Sequence, residues 1–563
     1  MKDKNASGRK SPVDFLRTAV ECLFLPAAIF ILTYDPNHGD GRILPLEAGM
    51  HLGAINDLLY GRIPFRDTIS LYGPLSELIP FVVMKLFGIT LLTLRSYYHC
   101  TTILGIIIAY FLAREVLRTR VFTLIAALIL IIETFDPFWS TRWGGIRSGT
   151  GLLVLFLLIK SYDSPQWKRC LYWAGLAGIF ALLNSTEIGV LAVITAMVYA
   201  LLRSWMEGGS LRQSFPYLKP FFTGFGTLLV PFLLYYTITG SLAAYVQFTF
   251  LEFPFNHISR FAQGNVPPLI PEGLGLRNVL PWIMSYEFMI YLPALIYILT
   301  GLYLAFILVS RKVSAKRETI VLVILLIYGI PLYAAAFRAI RGPQFTASIT
   351  PSLLSACVLL EGFYFARKRS PERPGRLRLA RTLIFFLVLL TFLSYVAFSR
   401  NSTYGSGKEW IRYEIGKFKN YGAKEPGLVP LGLERGGNVY LPPEQVFVVT
   451  GVVRYIQTHT APREAIFAFP VIGSYYFLAD RYNFTKFPAA EVACINERYR
   501  AELIEDVRRR APRYVIFDTK ISGLARSIGT TDEKLMPEIF RFCADHYAVE
   551  ASFGQTLIMR RHR

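Results

Sequence analysis

The chain has 563 residues, of which 53% are hydrophobic and only 18% charged, with a mean hydropathy of +0.40. A soluble chain of this length would be about a quarter charged and would divide into several domains, so disorder, a collagen and a disulfide-stapled miniprotein are excluded. The 60 Lys and Arg against 39 Asp and Glu give a net charge of +21, and their placement beside apolar runs points away from nucleic acid and towards a membrane.

A helix crossing the bilayer core needs about 20 mostly apolar residues. In chain order the qualifying runs are 14–34, 94–113, 119–135, 147–162, 170–185, 187–206, 218–240, 285–309, 318–337, 344–366 and 382–399. The first is long, carries Arg17 and Glu21 and lacks a small-residue exit, so it reads as a span and not as a cleaved signal. With the N-terminus inside, Lys and Arg concentrate in the inner segments, for example Arg114, Arg118 and Arg120, then Arg311 to Arg317, then Arg367 to Arg381. The odd number of spans, about eleven, then puts the C-terminal tail outside. The stretch 76–88 contains Pro80 and Lys85 and is too short to span, so it reads as a re-entrant or interfacial helix.

The predicted fold is a polytopic α-helical membrane domain over 1–399, with a first outer loop at 35–93. An irregular linker follows at 400–442, then an extracytoplasmic α/β domain at 443–563. In that domain a helix over Gln445 to Thr458, a strand at 465–469, a charged helix at 497–510 and a strand at 514–518 alternate. A disulfide between Cys494 and Cys543 is open on sequence grounds, since spacing does not show proximity.

The first outer loop carries Asp35, His38, Asp40, Glu47, His51, Asp57 and Asp67 beside a span, with Gly and Pro punctuating an amphipathic stretch from Glu47 to Tyr60. Acids at the membrane face mark a site. The second outer loop offers Asp136, Arg142 and Arg147. P-loop, zinc-ligand, nucleophile-elbow and Rossmann patterns are not present.

The ordered set EAGMHL (47–52), LLYGRIPFRD (58–67), LYGPL (71–75) and KLFG (85–88) resembles the opening of GT-C membrane glycosyltransferases. The branch it is similar to contains the protein O-mannosyltransferases, the aminoarabinose transferase of lipid A and bacterial lipopolysaccharide-core sugar transferases. The resemblance implies transfer of a sugar from a polyprenyl-phosphate donor lipid to a glycan, lipid or protein acceptor at the outer face of a membrane, here a bacterial inner membrane. The leading acid of the family falls on Glu47, making it the implied base, with Asp40 the runner-up. The second acid is replaced by Ala48, and a Glu-Lys-Pro-Pro turn is replaced by Leu71 to Pro74, which removes a phosphate-facing lysine. The implied substrate-binding set is His51, Arg66, Asp67, Tyr72, Glu187, Arg338 and Arg341. Arg142 and Arg147 are further partners for the phosphate, because outer span ends lie at its depth. No cofactor is fixed; a divalent metal ion held through Asp136 is what several GT-C families imply. A flippase for lipid-linked sugars and a catalytically inactive relative share this layout. Against the flippase stands the lack of membrane-centre charge pairs and of an inverted repeat.

Overall fold

The computed structural model describes residues 18–135, 140–142, 146–257, 290–309, 316–336, 343–369, 415–520 and 529–562, with single positions between 268 and 288 and at 412, 522 and 525. A π-helical turn, Val20–Phe24, runs into α1 (Leu25–Thr33). The first loop then folds as two helices, α2 (Pro45–Leu59) and α3 (Leu75–Phe87). The bundle continues through α4 (Leu91–Val116), α5 (Arg120–Thr134), α6 (Ile146–Asp163), α7 (Trp167–Asn184), α8 (Thr186–Met206) and α9 (Phe215–Ile238). A short α10 (Leu242–Val246) passes into a π-helix, Gln247–His257, and α11 (Leu292–Val309), α12 (Lys316–Ala336) and α13 (Pro343–Arg369) complete the described bundle.

Ten of the eleven expected spans fall on these helices; the last, 382–399, lies outside the described residues. Five are long and apolar enough on their own to cross a bilayer, and Val20–Thr33, Arg120–Ile132 and Leu292–Ile307 are shorter apolar helices. Their outward faces carry bare apolar side chains, such as Val121 and Leu128 on α5 and Val230 and Leu234 on α9. Water would make such faces an aggregation surface, whereas lipid solvates them. The protein is therefore an integral membrane protein with a polytopic helical domain.

The span ends sort into two faces. On the one expected to be inner, Arg118 pairs with Glu318, and Arg317 pairs with Glu115 and Asp163. There the buried carboxylate of Glu361 accepts the backbone N–H groups of Arg118 (2.7 Å) and Thr119 (2.6 Å) where α5 begins. A carboxylate at a helix N-terminus is favoured by both the free N–H groups and the helix dipole. α3 fits the interfacial reading: Glu77, Pro80 and Met84 face inward while Val82, Leu86 and Phe87 are bare.

On the opposite face sits the C-terminal domain. The expected linker is in part ordered: β1 (Val429–Pro430) pairs antiparallel with β2 (Tyr440–Leu441). After α14 (Pro443–His459) come β3 (Ala465–Phe469), α15 (Ser474–Leu478), β4 (Tyr482–Asn483), α16 (Glu497–Arg510) and β5 (Tyr514–Asp518). Two short helices, α17 (Asp532–Leu535) and α18 (Pro537–His546), precede the hairpin of β6 (Tyr547–Phe553) and β7 (Thr556–Arg561). The sheet order is β4-β3-β5-β7-β6, parallel across β4, β3 and β5 and antiparallel from β5 outward. Cys494 and Cys543 are both buried in this domain and are not joined to each other.

The motif glycines explain how this domain grips the first loop. A Cβ on Gly49 would fall 2.6 Å from the Val471 carbonyl, and one on Gly53 would fall 2.5 Å from that of Pro488. One face of α2 therefore lies directly on the domain's backbone. Arg62 closes the grip, donating to the carbonyls of Asn483 (2.7 Å), Thr485 (2.6 Å) and Asp67, and pairing with Asp57 at 3.2 Å. Asp57 is fully enclosed and also accepts from Thr68 at 2.6 Å. Burial outweighs Arg62 and pushes the Asp57 carboxyl up to about 6. A raised carboxyl pKa means its contribution to stability is full below the unfolded value near 4 and is lost as pH rises through about 6. Thermal unfolding compared between wild type and Asp57→Asn should accordingly show a stability difference that moves against the wild type between pH 4 and pH 7. A difference independent of pH would contradict this account.

Candidate functional site

Two breaks in the chain meet at the end of the bundle that carries the C-terminal domain. α7 stops at Asn184 and α8 starts at Thr186, leaving Ser185 alone between them in an extended conformation (φ −152°, ψ 104°). Against that break lies the turn Leu71 to Pro74, whose Tyr72 carbonyl accepts the Thr186 N–H at 3.1 Å. Gly73 has φ +151°, and a Cβ there would meet the Leu183 carbonyl at 2.4 Å. Glycine is required by both the contact and the dihedral.

Arg147, in the first turn of α6, reaches into this junction. Its Nε donates to Ser185 Oγ at 2.9 Å, and its guanidinium lies 3.9 Å from the centre of the Tyr72 ring. Its outer nitrogen is 3.8 Å from Glu187 Oε2, and only 14% of the side chain is exposed. A partly desolvated cation over an aromatic face gains about 2 kcal/mol from the ring. Three partners thus hold one cation at the mouth of a cavity.

That cavity encloses about 550 Å³. Its polar end is Tyr72, Arg147, Ser185, Thr186 and Glu187, and apart from Thr249 the remaining wall is apolar, with Leu71, Val190, Phe253, Pro331 and Ala334. The N-terminus of α8 adds its own partial positive charge to that of Arg147. A guanidinium and a helix N-terminus above an apolar wall suit a ligand with an anionic head and a hydrocarbon chain, with Glu187 offsetting part of the charge. A second chamber of only about 20 Å³ shares Tyr72 and Arg147 with it and is also lined by His51, Ser76, Tyr98 and Asn184.

The residues expected from sequence are distributed unevenly around this centre. Tyr72 and Glu187 line the main cavity and His51 the small chamber. Glu47 opens α2 one turn before His51, and its side chain lies outside the described residues. So do Asp136, Arg338 and Arg341. Asp40 lines neither cavity: it pairs with Lys424 at 2.9 Å and accepts the Tyr440 N–H at 3.0 Å, fastening the loop to the β1–β2 hairpin. Arg66 grips Asp67 with two bonds of 2.9 and 2.8 Å on the exposed rim, which holds the Asp67 carboxyl below its ordinary value. Arg142 is buried and donates to the Arg42 carbonyl at 3.0 and 2.7 Å, so it shapes the loop. Among the described residues, no group of three or more His, Cys, Asp and Glu is placed to hold a metal ion.

Sequence reading missed Glu77. It is 5% exposed, lies within hydrogen-bond reach of the hydroxyls of Ser70 and Ser76, which also reach the Gly73 carbonyl, and lies 3.6 Å from Nδ1 of His51. An acid inside the apolar run SELIPFVVMKLF was the available signal, since ionisable groups at membrane depth mark sites.

No protein-family model and no curated protein sequence matches the chain. Among solved structures it is similar to ArnT from Cupriavidus metallidurans bound to undecaprenyl phosphate, at 13% identity over 96% of this chain and 98% of that one, with a TM-score of 0.50. It is similar to the apo state of the same protein, at 13% identity over 97% and 98%, with a TM-score of 0.50. A third similar structure is the Archaeoglobus fulgidus oligosaccharyltransferase with Zn and sulfate, at 13% identity over 96% and 73%, with a TM-score of 0.45. The likeness to ArnT, over nearly the whole of both chains, shows that the two share a fold.

Because the Leu183 contact and the positive φ both forbid a side chain at 73, Gly73→Ala should displace Tyr72 from Arg147. The expected outcome is a destabilisation of about 1–3 kcal/mol, read as a lowered unfolding temperature in detergent. An unchanged unfolding temperature would contradict the close packing.

Proposed function

We propose that the protein is a membrane glycosyltransferase that takes a sugar from a polyprenyl-phosphate-linked donor and passes it to a hydroxyl of a glycan, lipid or protein acceptor. The observation that carries this reading is the polar end of the 550 Å³ cavity, where Arg147 is held by Tyr72, Ser185 and Glu187 above an apolar wall. The fold shared with ArnT, a protein crystallised with undecaprenyl phosphate, supports the same class of ligand.

The chemistry follows from the charges. The donor phosphate binds Arg147 beside the positive end of α8, with the prenyl chain along the apolar wall. Glu47, at the start of α2, takes the proton of the acceptor hydroxyl, and the hydroxyl oxygen attacks the anomeric carbon. The bond from that carbon to the phosphate oxygen breaks, and polyprenyl phosphate leaves with the electron pair, its added charge stabilised by Arg147. One displacement inverts the anomeric carbon. Asp40, already paired with Lys424, is the lesser choice of base. The basic surplus on the face of Arg118 and Arg317 supports an inner placement for it and an outer one for the C-terminal domain, as in a bacterial inner membrane.

Arg147→Gln should keep the fold and lower transfer from a prenyl-phosphate sugar by about 10²-fold or more. Glu47→Gln should bind donor as wild type does and lose transfer. Full activity in the Arg147 variant would overturn the placement of the donor.

A further inference from the structure

We propose that α14 and the β6–β7 hairpin carry a docking row for an anionic glycan chain, which serves as the acceptor; the inference rests on the transfer reading above and adds the acceptor's class to it. The row starts beside the first loop. Glu444 pairs with Arg42 at 3.2 Å, and the Gln445 side chain bonds both backbone groups of Ile43, at 2.9 and 2.8 Å. Ile43 lies one helical turn before Glu47 in sequence, the base of the proposed reaction. The 17 residues of α14 span about 25 Å, so its far end lies well away from that loop.

Aromatic rings follow one another along this path. Phe447 is 65% exposed; it and Val549 are the large apolar side chains left bare in the described part of the chain after Tyr421. The Phe553 ring of β6 is centred 6.2 Å from Phe447 and 6.3 Å from Tyr455, and His459 stacks on Tyr455 at 4.0 Å. A single bare ring needs no explanation. These rings form a narrow strip with a polar margin, where the Tyr455 hydroxyl donates to Glu550 at 2.7 Å and Arg560 pairs with the same carboxylate at 3.5 Å. Protein interfaces centre on a broad apolar patch. A strip of rings with polar edges instead fits a chain of sugars, whose C–H faces are apolar and whose rims are polar.

The far end of the row is cationic. Arg513 lies 5.2 Å from the centre of the Tyr514 ring, which touches both Tyr455 and His459. The register of β5 and β7 sets Arg560 opposite Tyr514, and the Arg561 N–H donates to the Arg513 carbonyl at 3.1 Å. The Arg561 side chain reaches the Ala511 carbonyl at 3.3 Å, just past the end of α16 at Arg508 to Arg510. Arginines in the last turn of α16 also favour its dipole, but that account does not extend to Arg513 and Arg561. Asp506 pairs with Arg509 and Glu550 with Arg560, whereas Arg513 and Arg561 have no ion pair among the described residues. Guanidinium forks bind carboxylate and phosphate groups in pairs of bonds, so the glycan that fits this end carries such groups.

The test is binding of fluorescent oligogalacturonate to the full chain in zwitterionic lipid nanodiscs, with dextran as a neutral glycan and polyglutamate as an acidic polypeptide. Oligogalacturonate should bind more tightly than either. Phe447→Ala removes an exposed ring and no charge, and should weaken that binding about fivefold. Arg513→Gln combined with Arg561→Gln should weaken it about tenfold. Phe447→Leu keeps an apolar side chain on Phe553 without the ring, so it decides the matter should the alanine variant fail to fold. Oligogalacturonate binding that both Phe447 variants leave unchanged would mean attraction to net charge alone and would overturn the inference. Polyglutamate that binds as tightly and loses as much in Phe447→Ala would overturn it too, making the row a peptide site. In transfer assays Phe447→Ala should raise KM for a glycan acceptor and leave KM for the donor unchanged. If transfer proceeds and neither KM moves, this inference alone fails. If the probes bind as expected but no donor loses its sugar, the donor reading fails and the row remains a glycan-binding surface.

Discussion

The site depends on holding one guanidinium, that of Arg147, at the edge of the membrane without letting water solvate it. Its side chain is 14% exposed, so its charge must be met by the protein. Glu187 supplies an opposite charge and Ser185 an acceptor from one stretch of chain, and Tyr72 supplies an aromatic face from another. The one-residue break between α7 and α8 and the absence of a side chain at Gly73 are what bring those stretches together. Arg147 lines the cavity, and a guanidinium there suits a phosphate better than a neutral ligand.

The C-terminal domain takes its meaning from this junction. It packs on α2 through Gly49 and Gly53 and on the following loop through Arg62, fixing the segment that leads into Tyr72. It also reaches the other wall of the cavity. The π-helix Gln247–His257, which places Phe250 and Phe253 against the cavity, is tied to α16 by Glu252 and Arg498 at 3.4 Å and by the packing of Phe248 on Tyr499. A domain that holds two walls of one cavity acts as a scaffold for it rather than as an appendage.

The fold was legible where a long-range rule governs it. Twenty-residue apolar runs and the clustering of Arg114 to Arg120 on one face are set by the bilayer, and helices such as Leu91–Val116 and Thr186–Met206 followed. The short spans 147–162 and 170–185 appeared as Ile146–Asp163 and Trp167–Asn184. The linker was less legible, since its β1–β2 hairpin forms against Asp40 and Gly41, partners some 400 positions away in sequence. The candidate site was read in part. Tyr72, Glu187 and Arg147 met as a group, but Arg142 gave no outward sign that a backbone carbonyl would claim it. Glu77 escaped because its burial beside His51 depends on how α2 and α3 pack.

The fate of the donor tests the central claim most directly. Purified protein in sealed vesicles would be given prenyl-phosphate sugars labelled in the sugar, with membrane extract as acceptor. The account predicts that label leaves one donor and appears on an acceptor, with free polyprenyl phosphate released. Label that crosses the vesicle wall on an intact donor would contradict it and make the protein a flippase.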